Sequence, residues 1–171
     1  MATLNPNNFI ITRKRKKYRF ALFANSPLCF EASEYQSKSS TDVLELGAGT
    51  GLFSVELASR NPRKMFLACD VKADRLQKGA RIAEEKQLAN ISFLRAHANQ
   101  LEEILAPNGL KEIWLTFPDP YPKKRQAKHR LTHPSFLGIY QKLLGKNGQL
   151  YFKTDNRALF DWSLEQLVVG G

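Results

Sequence analysis

Val43-Leu44-Glu45-Leu46-Gly47-Ala48-Gly49-Thr50-Gly51 combines a short apolar run with three closely spaced glycines. Its first four residues, apolar except for one acid, make a short strand. The glycines that follow end it in a tight turn. Leu52 to Arg60 then reads as a helix, with Phe53, Leu57 and Ala58 on one face and Pro62 just beyond its end. A buried strand that passes through glycines straight into a helix opens a βαβ unit.

The same alternation runs outward from this stretch. Met65 to Cys69 is a second buried strand closed by Asp70, and Lys72 to Gln87 is a long helix with Leu76, Ala80 and Ala83 inward. Ile91 to Leu94 is a third strand, Gln100 to Leu105 a short helix, and Pro107-Asn108-Gly109 a turn. Glu112 to Phe117 is a fourth strand, ended by Pro118. Ser135 to Leu144 is a helix with Phe136, Ile139, Tyr140 and Leu143 on one face. Lys146-Asn147-Gly148 turns the chain into the strand Gln149 to Lys153, and Leu159 to Val168 is the last helix. Trp114 and Trp162 read as core. Strand and helix in repeated alternation specify an α/β domain, a mostly parallel sheet with helices on both faces. Such sheets bind ligands at the carboxyl ends of their strands, near the topological switch point. Residues 1–40 show no clean periodicity. A basic run is followed by the aromatic patch Tyr18, Phe20, Phe23 and Phe30, an arm or short irregular elements packing partly on a domain of residues 41–171.

The chain has 171 residues, 43% of them apolar, which suits one globular core. No stretch approaches the ~18 uninterrupted apolar residues of a membrane helix. The polar, then basic, N-terminus lacks the apolar segment of a secretory signal. Cys29 and Cys69 are too few and too far apart for a disulfide framework or a zinc cluster. Cys69 reads as a buried thiol, in keeping with a reducing cytoplasm. The net charge is +10, and its placement matters more than its sum. Arg13 to Arg19 holds six basic residues and Lys123 to Arg130 holds five, neither with an acid. Outside these stretches basic and acidic residues nearly balance. Two dense clusters on a neutral body point to a polyanionic partner.

The glycine loop discriminates between ligands. A dinucleotide fingerprint reads G-x-G-x-x-G and seats pyrophosphate on a helix N-terminus. Here the spacing is G-x-G-x-G, and Glu45 stands two residues before Gly47. A carboxylate there repels pyrophosphate and suits a sulfonium or an amino group. Gly47 and Gly49 let a ligand approach the backbone, and Asp70 can accept both hydroxyls of a ribose. The alternative is a strand-turn glycine cluster with a capping acid. Together these features resemble the first two motifs of the Rossmann-like S-adenosylmethionine (SAM)-dependent methyltransferases, which implies that fold and SAM as cofactor.

After the fourth strand comes Phe117-Pro118-Asp119-Pro120-Tyr121-Pro122-Lys123-Lys124-Arg125-Gln126-Ala127-Lys128-His129-Arg130. The prolines around Asp119 forbid helix and make a stiff extended loop holding one carboxylate at the strand's end. This segment resembles the hallmark F-P-D-P-W-P-K-K-R-H-x-K-R-R of the tRNA (guanine-N7)-methyltransferases of the bacterial TrmB type. Lys153-Thr154-Asp155-Asn156 resembles their T-D-N or T-D-W. The resemblance runs from about Asp42 to Leu167. It implies transfer of the SAM methyl group to N7 of a guanosine in the tRNA variable loop. On this resemblance Glu45, Asp70 and Asp119 match the SAM-site acids, with Asp119 also catalytic. Lys123 and Asp155 match substrate-contacting positions. Arg125, Lys128, His129 and Arg130 fall in the RNA-contacting segment. His97 stands where an acid usually lies beside the adenine, and its ring can still hydrogen-bond. Tyr121 replaces Trp, Gln126 replaces His, and His129 replaces a basic residue. The family continues into a final strand pair carrying a T-x-x-E that touches the guanine. The chain stops at Gly171, so the domain reads as C-terminally truncated.

N7 of guanine carries a lone pair and no proton, so its methylation needs alignment and charge management rather than a base. The expected partner is tRNA, with no membrane and no metal, since His129 and His133 lack ligand spacing. The expected state is monomer or homodimer. Two readings compete. A SAM-dependent amino-methyltransferase of adenine or cytosine carries D-P-P-[YFW] or N-P-P-[YFW], which Asp119-Pro120-Tyr121 resembles loosely. The other is a noncatalytic RNA-binding module that keeps the fold.

Overall fold

The computed structural model describes residues 3–5, 7, 14–35 and 41–169. Six strands form one sheet: β1 (Cys29–Glu31), β2 (Val43–Leu46), β3 (Phe66–Asp70), β4 (Ile91–Arg95), β5 (Leu110–Thr116) and β6 (Leu144–Lys153). Every pairing is parallel, and the order is β1-β4-β3-β2-β5-β6. Parallel neighbours require crossover helices, so both faces are covered and the strands read as continuous apolar runs. On one face lie α1 (Lys14–Ala24), α2 (Leu52–Arg60) and α3 (Ala73–Glu85), where Phe23, Val55, Leu76 and Ala80 pack on Val43, Ala68 and Phe93. On the other lie α4 (Leu101–Ile104), α5 (Pro134–Leu143) and α6 (Arg157–Val169), where Leu101, Leu137, Tyr140 and Leu167 pack on Leu44, Leu67 and Leu115. The walk from β2 through β3 to β4 goes one way across the sheet, and β5 and β6 go the other. The switch point is therefore the seam between β2 and β5. Among the described residues no helix is long and apolar enough to cross a membrane.

The five strand–helix repeats lie close to their expected places. The N-terminal segment differs from an irregular arm, because it contains α1 and the edge strand β1. Its signal was masked by charge: α1 is basic over its first half, yet buries Ala21 and Phe23. β1 is only three residues long and, among the described residues, pairs with β4 alone. The 146–148 turn lies within the span of β6. Leu110 pairs with Leu144 and Glu112 with Gln149, so residues 145–148 loop out of the ladder. The short helix after β4 begins as a 3₁₀ turn, Ala98–Gln100, before α4.

One contact sets the distance between the glycine turn and the helix beside it. α3 passes so close that a Cβ on Gly79 would lie 2.3 Å from the Thr50 carbonyl oxygen and 2.7 Å from Phe93 Cε1. In an isolated helix Gly79→Ala would add about 1 kcal/mol of stability. Here the methyl must displace backbone, so the substitution is expected to destabilise by about 1–3 kcal/mol, read as a lower urea midpoint. A midpoint equal to or above the parent's would refute the contact.

Candidate active site

At the switch point Glu45 is buried, 2% exposed. α2 starts at Gly51, whose φ of +69° suits glycine and which offers no side-chain oxygen to the helix's free N–H groups. Glu45 takes that role from the neighbouring strand. Its Oε2 accepts from the Ser54 backbone N–H (3.2 Å) and from the Ser54 hydroxyl (2.6 Å). Its Oε1 accepts from the Thr116 hydroxyl at the end of β5 (2.6 Å). The carboxylate thus closes the seam between β2 and β5 and faces the positive end of a helix. Burial pushes its pKa above the ordinary glutamate value, and the hydrogen bonds from Ser54 and Thr116 oppose that rise.

Above the seam is a cleft of about 340 Å³, lined among others by Gly47, Gly49, Asp70, His97, Asp119 and His129. The size suits a small ligand. The fold therefore assembles six of the expected site residues from four different loops. Glu45 lies beneath this lining rather than in it. Gly47 and Gly49 both have positive φ, 72° and 57°, and a Cβ on Gly49 would meet no atom within 4 Å. Asp70 Oδ2 accepts from the Gly49 N–H (2.8 Å) and Oδ1 from the Lys72 N–H (2.8 Å). Asp70 so braces the glycine turn while its carboxylate borders the cleft. His97 is exposed, and its backbone N–H donates to Gln100 Oε1 (2.8 Å). Cys69 is fully buried beneath, its thiol pKa pushed up to about 12 by burial, which leaves it inert.

The loop after β5 carries Asp119 at the cleft, exposed and without a hydrogen-bond partner among the described residues. Two aromatic residues flank it in the left-handed region, Phe117 at φ 50° and Tyr121 at φ 42°. Each precedes a proline, which ordinarily favours extended backbone, so each costs about 1–3 kcal/mol. Four residues, Phe117, Arg130, Tyr140 and Thr132, anchor this loop and the stretch that follows it. The Phe117 N–H donates to the Lys153 carbonyl (2.8 Å). Arg130 donates from Nε to the Pro120 carbonyl (3.2 Å) and from Nη2 to the Tyr121 carbonyl (3.0 Å), with its guanidinium 4.4 Å over the Trp162 ring. Tyr140 Oη donates to the Leu131 carbonyl (2.9 Å), and Thr132 and Ser163 share a buried hydroxyl hydrogen bond (2.7 Å). Arg130 is thus committed to the loop itself, and Trp162 is a half-buried platform for it rather than a core residue. Lys123, Lys124, Arg125, Lys128 and His129 are exposed, the last four on a 3₁₀ segment, Lys124–His129. Asp155 is also exposed, outside the cleft lining. Its neighbours carry structural roles: the Asn156 side chain accepts from the Leu159 N–H (2.8 Å) to cap α6.

Ser54, Thr116, Gly79 and the anchoring role of Arg130 were not singled out in the sequence. The one available signal was a glycine inside a helical pattern, which marks close packing.

Two outcomes follow. As pH rises past the ordinary glutamate value of 4.5, Glu45 ionises in the unfolded chain before it does in the folded one. Its contribution to stability therefore falls with rising pH until the raised folded pKa is passed. The stability of Glu45→Gln relative to the parent should climb between pH 4 and pH 7 in urea unfolding; a constant difference would contradict the burial argument. In Arg130→Ala, the amides of Lys123 to Gln126 should exchange hydrogen faster than in the parent, on the order of tenfold. Unchanged exchange would mean that the other three contacts suffice.

Residues 39–169 match the model of a methyltransferase family. The chain is 40% identical over 135 residues to a tRNA (guanine-N(7)-)-methyltransferase of Cytophaga hutchinsonii, an alignment covering 79% of this chain and 61% of the relative. It is 43% identical over 122 residues to that of Christiangramia forsetii, with 71% and 54% covered. With that of Brevibacillus brevis it shares 36% over 151 residues, with 87% and 71% covered. The chain thus spans little more than half the length of the first two of these relatives. Among solved structures, the 16S rRNA methyltransferase KamB superposes with a TM-score of 0.59 at 18% identity, over 80% of this chain and 71% of that one, a likeness of fold. By the family model and by its similarity to the Brevibacillus brevis protein over most of that protein's length, the chain belongs to the tRNA (guanine-N7)-methyltransferase family.

Proposed function

We propose that this chain carries the methyl-transfer site of a tRNA (guanine-N7)-methyltransferase, with a guanosine of the tRNA variable loop as acceptor. The observation that carries the reading is the placement of Asp119. Its carboxylate has no partner among the described residues, is held at the cleft by a strained and anchored loop, and leads directly into an exposed basic segment. Strain maintained at one exposed carboxylate is a mark of function.

The residues fit SAM on two grounds. Gly49 leaves room for close approach, and Asp70 offers carboxylate oxygens to a ribose at the cleft's edge. Gly47, Gly49, Asp70, His97 and Asp119 would hold the cofactor. Glu45, buried beneath the lining and bonded to Ser54 and Thr116, would join them from below, where Oε1 accepts a single hydrogen bond among the described residues. When bound, the cofactor supplies an electrophilic methyl group on a sulfonium.

The chain's own groups have two tasks. They must hold guanine N7 in line with that methyl group, and they must accommodate the positive charge that develops on the base. Asp119 does the second by charge, and its oxygens can accept from the N1–H and amino edge of guanine. Asp155 and Lys123 help to orient the nucleotide. Arg125, Lys128 and His129 contact RNA phosphates, and Arg130 serves the same segment by holding its loop.

The test is incubation of the chain with SAM and unmodified tRNA, followed by chemical strand cleavage at 7-methylguanosine. Asp119→Ala should lower turnover by about 10²–10³-fold, the effect of losing a single charge-stabilising group. Methylation recovered at an exocyclic amine, or full turnover without the Asp119 carboxylate, would overturn the proposal.

A further inference from the structure

α1 and α3 run side by side down one face of the sheet, and both begin at its carboxyl edge. α3 follows directly from the end of β3. α1 precedes β1, so it ends at the opposite edge, where the Ser26 hydroxyl donates to Glu84 near the end of α3. Higher up, the guanidinium of Arg95, the last residue of β4, lies 4.9 Å over the ring of Phe20. The first half of α1 is therefore level with the cleft.

Both helices carry positive charge at this end: Lys16, Lys17 and Arg19 on α1, and Lys72, Arg75 and Lys78 in and around the first turns of α3. Lys72 and Arg75 flank the start of α3, where a cation opposes the helix dipole by about 0.3–1 kcal/mol and the acid Asp74 favours it. None of the six has an ion-pair partner among the described residues. Further along α3 the pattern reverses, with Arg81 paired to Glu85 (3.5 Å) and Lys86 to Glu56 (3.7 Å). At the amino edge Lys64 is paired with Glu112 and Lys111 with Asp42, both at 2.6 Å, while Arg63 and Lys146 have no ion-pair partner among the described residues; at the carboxyl edge Arg95 is paired with Glu31 (3.1 Å). Lys72 and Arg75 reach the rim of the cleft itself.

We infer that the carboxyl-edge halves of α1 and α3 form a second RNA-phosphate surface, on the opposite side of the cleft from Lys123–Arg130. This rests on the proposed function. From β5 to β3, where α3 starts, is two strand spacings, about 10 Å, and from β5 to β1 is four, about 19 Å, both more than separates consecutive phosphates. The two surfaces must therefore hold different parts of one folded RNA, with the cleft between them. That geometry favours a structured RNA over a single extended strand.

The test compares tRNA binding by the 171-residue chain at several salt concentrations with two variants of equal charge change. Lys16→Gln/Lys78→Gln removes exposed cations at the carboxyl edge, neither of them lining the cleft. Arg63→Gln/Lys146→Gln removes exposed cations at the amino edge that also lack ion-pair partners among the described residues. The first variant should bind about tenfold more weakly, with a log–log salt slope shallower by about 2. The second should keep the parental slope, and both should bind SAM as the parent does. Equal losses in the two variants, or a parental slope in the first, would overturn the surface while leaving the proposed function standing. A parent that binds no tRNA would overturn both. Binding of polyglutamate as tight as that of tRNA would overturn the assignment to RNA.

Discussion

The buried carboxylate of Glu45 is the constraint on which the site depends. Parallel strands that diverge at a switch point leave a seam, and something must fill the seam with satisfied groups. A leucine there would pack, but it would leave the Ser54 N–H in the first turn of α2 without its acceptor, because Gly51 cannot cap. Gly51 cannot be exchanged for serine without cost either. Its φ is +69°, and a side chain would meet Phe93 at 2.7 Å. The acid on β2 therefore solves a problem that the glycine turn creates. It binds three groups in the low dielectric of the interior, where each hydrogen bond is strong and an unpaired charge would be costly.

The same logic of one demanding feature held by remote partners governs the loop after β5. Phe117 and Tyr121 occupy backbone conformations that bulky residues avoid. Their strain is offset by contacts to β6, α5 and α6: the Lys153 carbonyl, the Tyr140 hydroxyl, and the Trp162 and Ser163 side chains. The last helix is thus part of the site's support, although none of its residues lines the cleft. A guanidinium suits the role of Arg130 better than an ammonium would. Its planar fork reaches two successive carbonyls while its face rests on an indole.

Much of this was legible in the sequence, and what escaped did so for physical reasons. The alternation of strand and helix is local, so β2 to β6 and their helices could be read from apolar spacing. Asp119 stood out because prolines on both sides restrict the chain whatever surrounds it. The sign of φ at Phe117 and Tyr121 did not, since the local preference before proline is extended and only the tertiary contacts overrule it. Glu45 was visible as an acid before glycines, with a ligand or a helix cap as alternative partners. The structure shows Glu45 bonded to Ser54, nine residues away at the start of α2, and to Thr116, seventy-one residues away on β5. No spacing rule connects Glu45 to Thr116. Arg130 was hidden by its neighbours, because one cation among five carries no mark of pointing inward. α1 was hidden in the same way, its buried Ala21 and Phe23 outweighed by the charges before them.

Charge is the property in which sequence and structure differ most in what they convey. The net +10 describes a sum. In the fold it becomes a polarity. Ion pairs match Lys64 and Lys111 at the amino edge of the sheet and Arg81 and Lys86 on the far half of α3, while among the described residues many of the cations around the carboxyl edge lack acidic partners. Matched pairs at the surface add little stability, about 0–1 kcal/mol, so pairing is an inexpensive way to silence charge where no polyanion is bound. Leaving it unmatched at the other edge concentrates positive potential around the cleft. Within that field the exposed acids Asp119 and Asp155 are local exceptions, and Asp119 borders the cleft where the proposed reaction makes a cationic base. A uniformly basic edge would attract RNA yet oppose that product; carboxylates set among lysines and arginines allow both steps at one place.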